Sequence, residues 1–481
     1  MRHPKDIAAA ATRPVRSRKG FALAVAAGVA AVPAMAFAPI AGATPPPCTV
    51  KDVTTGHHAT YTGAGALPAA VAGATAGDTL KVWHTCFGDT TVTKNLTITD
   101  GAGGATLNGT GTPGSVVTIK SGVTATINGL DITGGTGNFD VNGYAPITFG
   151  GGIDNAGHLS LTKVSVFKNT AGDGGGIFND NGAKLWLGGK SGTSVNYNSA
   201  NGFGGGGIYN YRGTVTSTNA TVNHNTAAGS SVIGGGGIFN QDGTVWLGSR
   251  WTGGTSVNWN TAPAGGGIDN FGSLSHLTLD NGQVNQNTAT SLGGGIYNAG
   301  PNTATLMDTS VNRNKATAGA GIYSAGKLSL TNVNVNRNAA SVYGGGVFSD
   351  FGGTLSAYRV TIHANSAVNV GGGVASNGAA KFWNSAISGN SSKTGGGGIY
   401  SFNSALTLND STVNHNTAPH GGGIYAWGGG SVALHHFSTV NHNTATLLNG
   451  GGGIFYYGGT TLINVHPGHN VRFNKNGNVV V

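Results

Sequence analysis

Residues 396–416 read Gly-Gly-Gly-Ile-Tyr-Ser-Phe-Asn-Ser-Ala-Leu-Thr-Leu-Asn-Asp-Ser-Thr-Val-Asn-His-Asn. The stretch holds three elements: a glycine run closing on Ile399, the alternating Leu406-Thr407-Leu408, and Val413 followed two residues later by His415-Asn416. Alternation with period two marks a strand with one buried face. Strands this short cannot bury that face alone, so the decisive question is whether the pattern returns.

It returns twelve times. Gly-Gly-Gly-Ile or a close variant places an aliphatic anchor at Ile153, Ile177, Ile208, Ile238, Ile268, Ile296, Ile322, Val347, Val374, Ile399, Ile424 and Ile454. Val or Ile, two variable residues and Asn end at Asn169, Asn198, Asn225, Asn260, Asn287, Asn314, Asn338, Asn365, Asn390, Asn416, Asn443 and Asn474. The two series interleave strictly over 301 residues, with anchors 24 to 31 residues apart. Stacking repeat on repeat in parallel, at roughly 4.8 Å per coil, buries all three apolar elements as internal ladders. The spacing therefore predicts an all-β fold, a right-handed parallel β-helix solenoid with three strands per coil and an N-terminal cap; the hand follows from the preference of parallel crossovers. Glycine suits the tight corners. The recurrent Asn suits another corner, where its amide can reach both local backbone and the Asn of the next coil.

Composition agrees with this and excludes much else. The 481 residues include 88 Gly and 48 Asn, and all 16 acids are Asp, with no Glu. A chain without Glu and with so much glycine has given up helix formers, which excludes bundles and coiled coils. The formal charge of +9 is concentrated at the start: six basic residues and Asp6 lie before residue 44, leaving 19 basic and 15 acidic residues. A nucleic-acid partner is not implied. Residues 1–43 read as a signal peptide, with a basic region to Lys19, an apolar stretch from Phe21 to about Val32, and small residues at Ala34-Met35-Ala36 and Ala41-Gly42-Ala43. Cleavage is placed after Ala43, with Ala36 the alternative. No transmembrane span is expected after cleavage, and the product is expected to be secreted or extracellular, with cell-surface association open.

Residues 44–145 read as a cap and the first irregular coils, and 146–481 as the twelve repeats. Leu67–Ala76 is the helix candidate, with Pro68 near its start and Gly77-Asp78 after it. Cys48 and Cys86, an even count in an exported chain, favour a disulfide, two buried thiols being the alternative.

The paired Gly-Gly-Gly-Ile and Val-x-x-Asn blocks resemble the Gly-Gly-Ala-Ile and Phe-x-x-Asn repeats of chlamydial polymorphic outer-membrane proteins. From Cys48 through Ala66-Leu67, Ala76-Gly77-Asp78 and Cys86 onward, the chain is similar to secreted bacterial proteins described as right-handed parallel β-helix repeat. The resemblance covers about two thirds of the chain and implies a pectate-lyase-like fold with surface or adhesive roles. It departs from the chlamydial proteins in lacking a translocating barrel after the last repeat, so outer-membrane autotransport is not implied.

Function reads less directly than fold. Lyases of this fold need carboxylates from adjacent coils and a basic residue, and hydrolases need clustered acids. The best cluster is Asp154, Asp173 and Asp180, with Lys168 close in sequence; solvated turn residues are the alternative reading. Asp154 and Asp269 occupy equivalent places four coils apart. His224, His415 and His442 share one corner position with Lys168, Trp259, Arg313, Arg337 and Ala364, so no metal and no cofactor are implied. The residue after each anchor is aromatic in nine of twelve repeats. Pointing away from the lumen, Tyr297, Tyr323, Phe348, Tyr400 and Tyr425 are candidates for a binding stripe, with mutual stacking for stability as the alternative. The reading reached is a secreted, non-catalytic β-helix with a surface-adhesion or glycan-binding role. A polysaccharide lyase or glycoside hydrolase is the second reading and a structural envelope component the third.

Overall fold

A computed structural model describes residues 46–54, 56–139, 148–189, 192–229 and 233–481. The segment 1–43 lies outside the described residues. From Pro46 onward the chain is an all-β parallel solenoid of about 14 turns. The repeat blocks pair rung on rung: Ile268 with Ile296, Ile296 with Ile322, and Ile322 with Val347. These strands belong to a sheet of fifteen. Leu328 pairs with Leu355 in a sheet of seventeen, and Val311 with Val335 and then Ile362 in the valine sheet. The anchors from Ile153 to Ile454 are all fully buried. A slip of one residue would turn a whole ladder outward, which is why the register is so regular.

The structure adds a strand that alternation did not reveal. After the ladder Asn the chain runs through short strands such as Lys315–Ala318 and Ala339–Tyr343, which stack into an eleven-stranded sheet. Its buried residues are alanines in every coil but one, among them Ala316, Ala340 and Ala367, with Ser392 in the remaining coil. One or two small residues per strand leave almost no periodic signal.

The three glycines serve two needs. Gly293 has φ +62°, which turns the chain back on itself, as expected of a corner. Gly295 is required for a different reason: a Cβ there would lie 2.6 Å from the Gly321 carbonyl oxygen of the next coil. The Asn corner is likewise explicit at Asn314, which is fully buried. Its Oδ1 accepts the Asn287 backbone N–H at 2.8 Å and the Asn287 amide at 3.1 Å. Its own amide donates to the Val284 carbonyl at 2.9 Å and to Asn338 Oδ1 at 3.0 Å. The residue between the two asparagines is left-handed, with φ 55° at Arg313 and 54° at Arg337. The ladder satisfies backbone groups that this turn would otherwise bury unpaired. A second buried ladder runs along the isoleucine sheet, where Asn270 donates to Asn298 at 2.7 Å and Asn298 to Ser324 at 3.0 Å.

At the N-terminal end, Thr49–Asp52 pairs antiparallel with Thr60–Thr62 and with Thr79–Trp83. Helix Ala66–Gly73 packs there through Leu67, Ala70 and Val71. It stops before the expected Ala76 because Ala74 is already extended. Lys94 holds that end through the Ala72 and Ala74 carbonyls at 2.8 and 2.6 Å. Cys48 and Cys86, 38 residues apart, form a disulfide beside this cover. An antiparallel strand, a helix and a covalent link together close an end that parallel stacking would leave open.

Candidate functional site

The three aspartates singled out in the sequence have different hydrogen-bond partners. Asp154 Oδ2 accepts from the Asn138 amide at 2.9 Å, and that amide also reaches Thr118 Oγ1 at 2.9 Å. Burial pushes the Asp154 carboxyl up, Asp180 adds to the rise, and the Asn138 bond and Lys120 oppose it. Asp180 itself accepts the neighbouring Asn181 N–H at 2.6 Å. Asp154, Asp180 and Lys120 thus share one electrostatic neighbourhood. Asp173 is engaged elsewhere: it is 1% exposed and accepts the Phe203 and Gly204 N–H groups at 2.6 and 3.1 Å. Burial raises its carboxyl to about 6 despite those donors.

Asp269, the equivalent of Asp154, occupies the place that aromatics fill in neighbouring coils, between Phe239 and Tyr297. It is fully buried; Oδ2 accepts the Gly234 N–H at 2.8 Å, while Oδ1 has no partner. Burial raises it to about 7. Both buried acids bind protons more tightly folded than unfolded, where an Asp titrates near about 3.9. Their favourable contribution is complete below that value and is lost as pH rises through about 6 for Asp173 and about 7 for Asp269. The solenoid should therefore melt at a higher temperature at pH ~5 than at pH ~8. Asp269→Asn should shrink that difference, and an unchanged pH dependence in the variant would remove Asp269 as its source.

The aromatic row behind the anchors does lie outside the lumen, but most of it is covered. Tyr323 and Phe348 are 7% exposed and Tyr400 8%, whereas Tyr297 is half-buried. Tyr323 meets Phe348 edge-on at 5.3 Å, and Tyr400 meets Tyr425 at 5.5 Å. The chain just before each glycine run doubles back over these rings, placing Leu292, Ala318, Tyr343 and Val370 against them. Those covering residues are themselves in register, Tyr343 beside Val370 and Val370 beside Gly395. Burial raises the Tyr297 phenol to about 12, and the Tyr323 hydroxyl donates to Asp350.

Open rings are found on other faces. Tyr197, His224 and Trp259, at the left-handed corner, stack at 4.7 and 5.1 Å with planes within 3° and 2° of parallel. His415 and His442 repeat this at 5.3 Å. Trp246 is 51% exposed and Trp251 87%. Sequence reading did not single out Trp186 and Trp246, though a signal exists: Leu185-Trp186-Leu187-Gly188 and Val245-Trp246-Leu247-Gly248 are near copies, and Gly-Thr-Ser-Val-Asn begins at Gly192 after the first and at Gly254 after the second. Among the described residues, one group has donor atoms close enough for a metal: Asp52, His57 and Asp78, all within 4.8 Å of one another. Asp78 Oδ2 is already occupied there, accepting the Thr75 N–H at 2.7 Å and the Thr75 hydroxyl at 2.9 Å, with His57 at 3.0 Å.

No known protein family, curated protein or solved structure matches the chain.

Proposed function

We propose that the chain is a secreted, non-catalytic β-helix that binds cell surfaces or glycans. The observation that carries this reading is how the acids are used: Asp173 and Asp269 are committed to backbone N–H groups, inside the wall of the solenoid. A hydrolase needs two carboxyls free to exchange protons or attack. The outward faces instead offer hydroxyls, amides and rings, chemistry suited to sugars. The resemblance of the repeats to those of chlamydial surface proteins points the same way. Secretion is supported by the segment 1–43 and by the Cys48–Cys86 link, which suits an oxidising compartment. Among the described residues no helix is long and apolar enough to cross a membrane.

A polysaccharide lyase or hydrolase is the second reading, favoured by the raised Asp154 carboxyl beside Asp180 and Lys120. A structural envelope component is the third. Binding on a glycan array, with no cleavage of pectins, alginates or glycosaminoglycans with or without Ca²⁺, is the expected result. Release of unsaturated or reducing ends would replace binding by catalysis. Asp154→Asn would then be the first variant to assay.

A further inference from the structure

Resting on the glycan-binding reading, we infer that the outer face of the leucine sheet around Trp186 and Trp246 is a platform for an extended β-1,4-linked glycan lying along the solenoid axis. Trp186, Thr216 and Trp246 occupy one outward column on three consecutive coils, in register. The two indoles are therefore two coils apart, about 10 Å at the usual strand spacing. Trp186 lies flat along its strand: a Cβ at Gly188 would touch its ring at 2.5 Å, so glycine clears the space the indole covers. Trp246 is 51% exposed.

The column beside it is Lys184, Thr214, Thr244 and His276, and neither column carries a carboxylate on these coils. The rim is fixed as well. Ser249 and Gly253 exchange backbone hydrogen bonds at 3.1 and 2.9 Å, making a tight hairpin with the exposed Trp251 at its tip. Arg250 anchors the hairpin to Asp308 at 3.0 Å.

This arrangement matches one class of ligand. A pyranose with equatorial hydroxyls has an apolar face of C–H groups that stacks on an indole, and a hydroxyl edge that needs polar partners. In an extended β-1,4 chain successive rings flip, so the same face returns at every second ring. The two indoles, two coils apart with a threonine between them and the Lys184 ammonium and two threonine hydroxyls alongside, match that spacing. An α-linked, coiled glycan would not keep its rings over both indoles.

The test uses the full chain with microcrystalline cellulose, cellohexaose and, as a linkage control, dextran. Co-sedimentation with cellulose and a shift in tryptophan fluorescence with cellohexaose are expected, with no response to dextran. Trp186→Ala/Trp246→Ala should weaken binding by about tenfold or more, with the melting temperature retained because both rings sit outside the core. Trp246→Tyr, which keeps a ring face, should recover part of the binding. If the double variant binds cellohexaose like the wild type, or the wild type binds only other glycans on an array, the platform is wrong while the glycan-binding reading stands. If the wild type binds no glycan at all, both are wrong.

Discussion

Ile296→Asp is expected to abolish the cooperative melting of the central coils. Ile296 is fully buried between Ile268 and Ile322 in the internal ladder. The substitution removes an aliphatic side chain from a stacked core and puts a carboxyl where no donor stands ready. The lost packing together with a buried, unpaired polar group costs on the order of 5 kcal/mol or more. The damage spreads because each coil is held only by its two neighbours, so a broken rung separates the solenoid into two shorter stacks. Circular dichroism melts of Ile296→Asp and Ile296→Val make the comparison, the latter expected to cost only about 1 kcal/mol. An Asp variant that melts within about two degrees of wild type would mean that Ile296 does not face the lumen.

Asn314→Leu is expected to be nearly as damaging, for a different reason. It leaves the Asn287 N–H, the Asn287 amide, the Val284 carbonyl and Asn338 Oδ1 each short of a partner. Stranding several buried polar groups costs about 1–3 kcal/mol for each that cannot find another partner. The volume change is small, so packing alone predicts little effect. The neighbouring position separates the two explanations: Arg313→Gly at φ 55° should be neutral or stabilising by up to about 1 kcal/mol, since glycine adopts that conformation freely. Guanidinium midpoints measure both variants. Equal midpoints for Asn314→Leu and Arg313→Gly would show that the ladder amides do not hold the corners.

Much of the architecture was legible because it repeats. A single Leu-x-Leu is ambiguous, but Leu328 and Leu330 recur in phase with Ile322 and Val335, and only a stack buries all of them. The ladder asparagines were legible for the same reason. The short alanine strands were not, since residues as small as Ala316 and Ala340 give little hydrophobic contrast with the Thr, Ser and Ala around them. In the candidate sites, sequence grouped Asp154, Asp173 and Asp180 by proximity along the chain. In the fold, Asp173 turns to the Phe203–Gly204 loop of the next coil while Asp154 and Asp180 share a neighbourhood.

Alternation along each strand, and hence which residues point into the lumen, is a property of local backbone geometry and was readable from residues two apart. What lies over an outward residue is a different matter, because its cover comes from chain that only coil stacking and irregular loops bring near. Tyr323 and Trp246 both point away from the lumen, yet one is 7% exposed under the chain that precedes the glycine runs and the other 51% exposed on an open face. The same holds for Asp269, whose buried, half-satisfied carboxyl depends on Gly234, 35 residues earlier. The sequence alone determined the repeat, the strands and their inward faces; tertiary packing alone decided which outward rings and acids meet solvent, because coverage depends on contacts between coils and not on the order of residues within one.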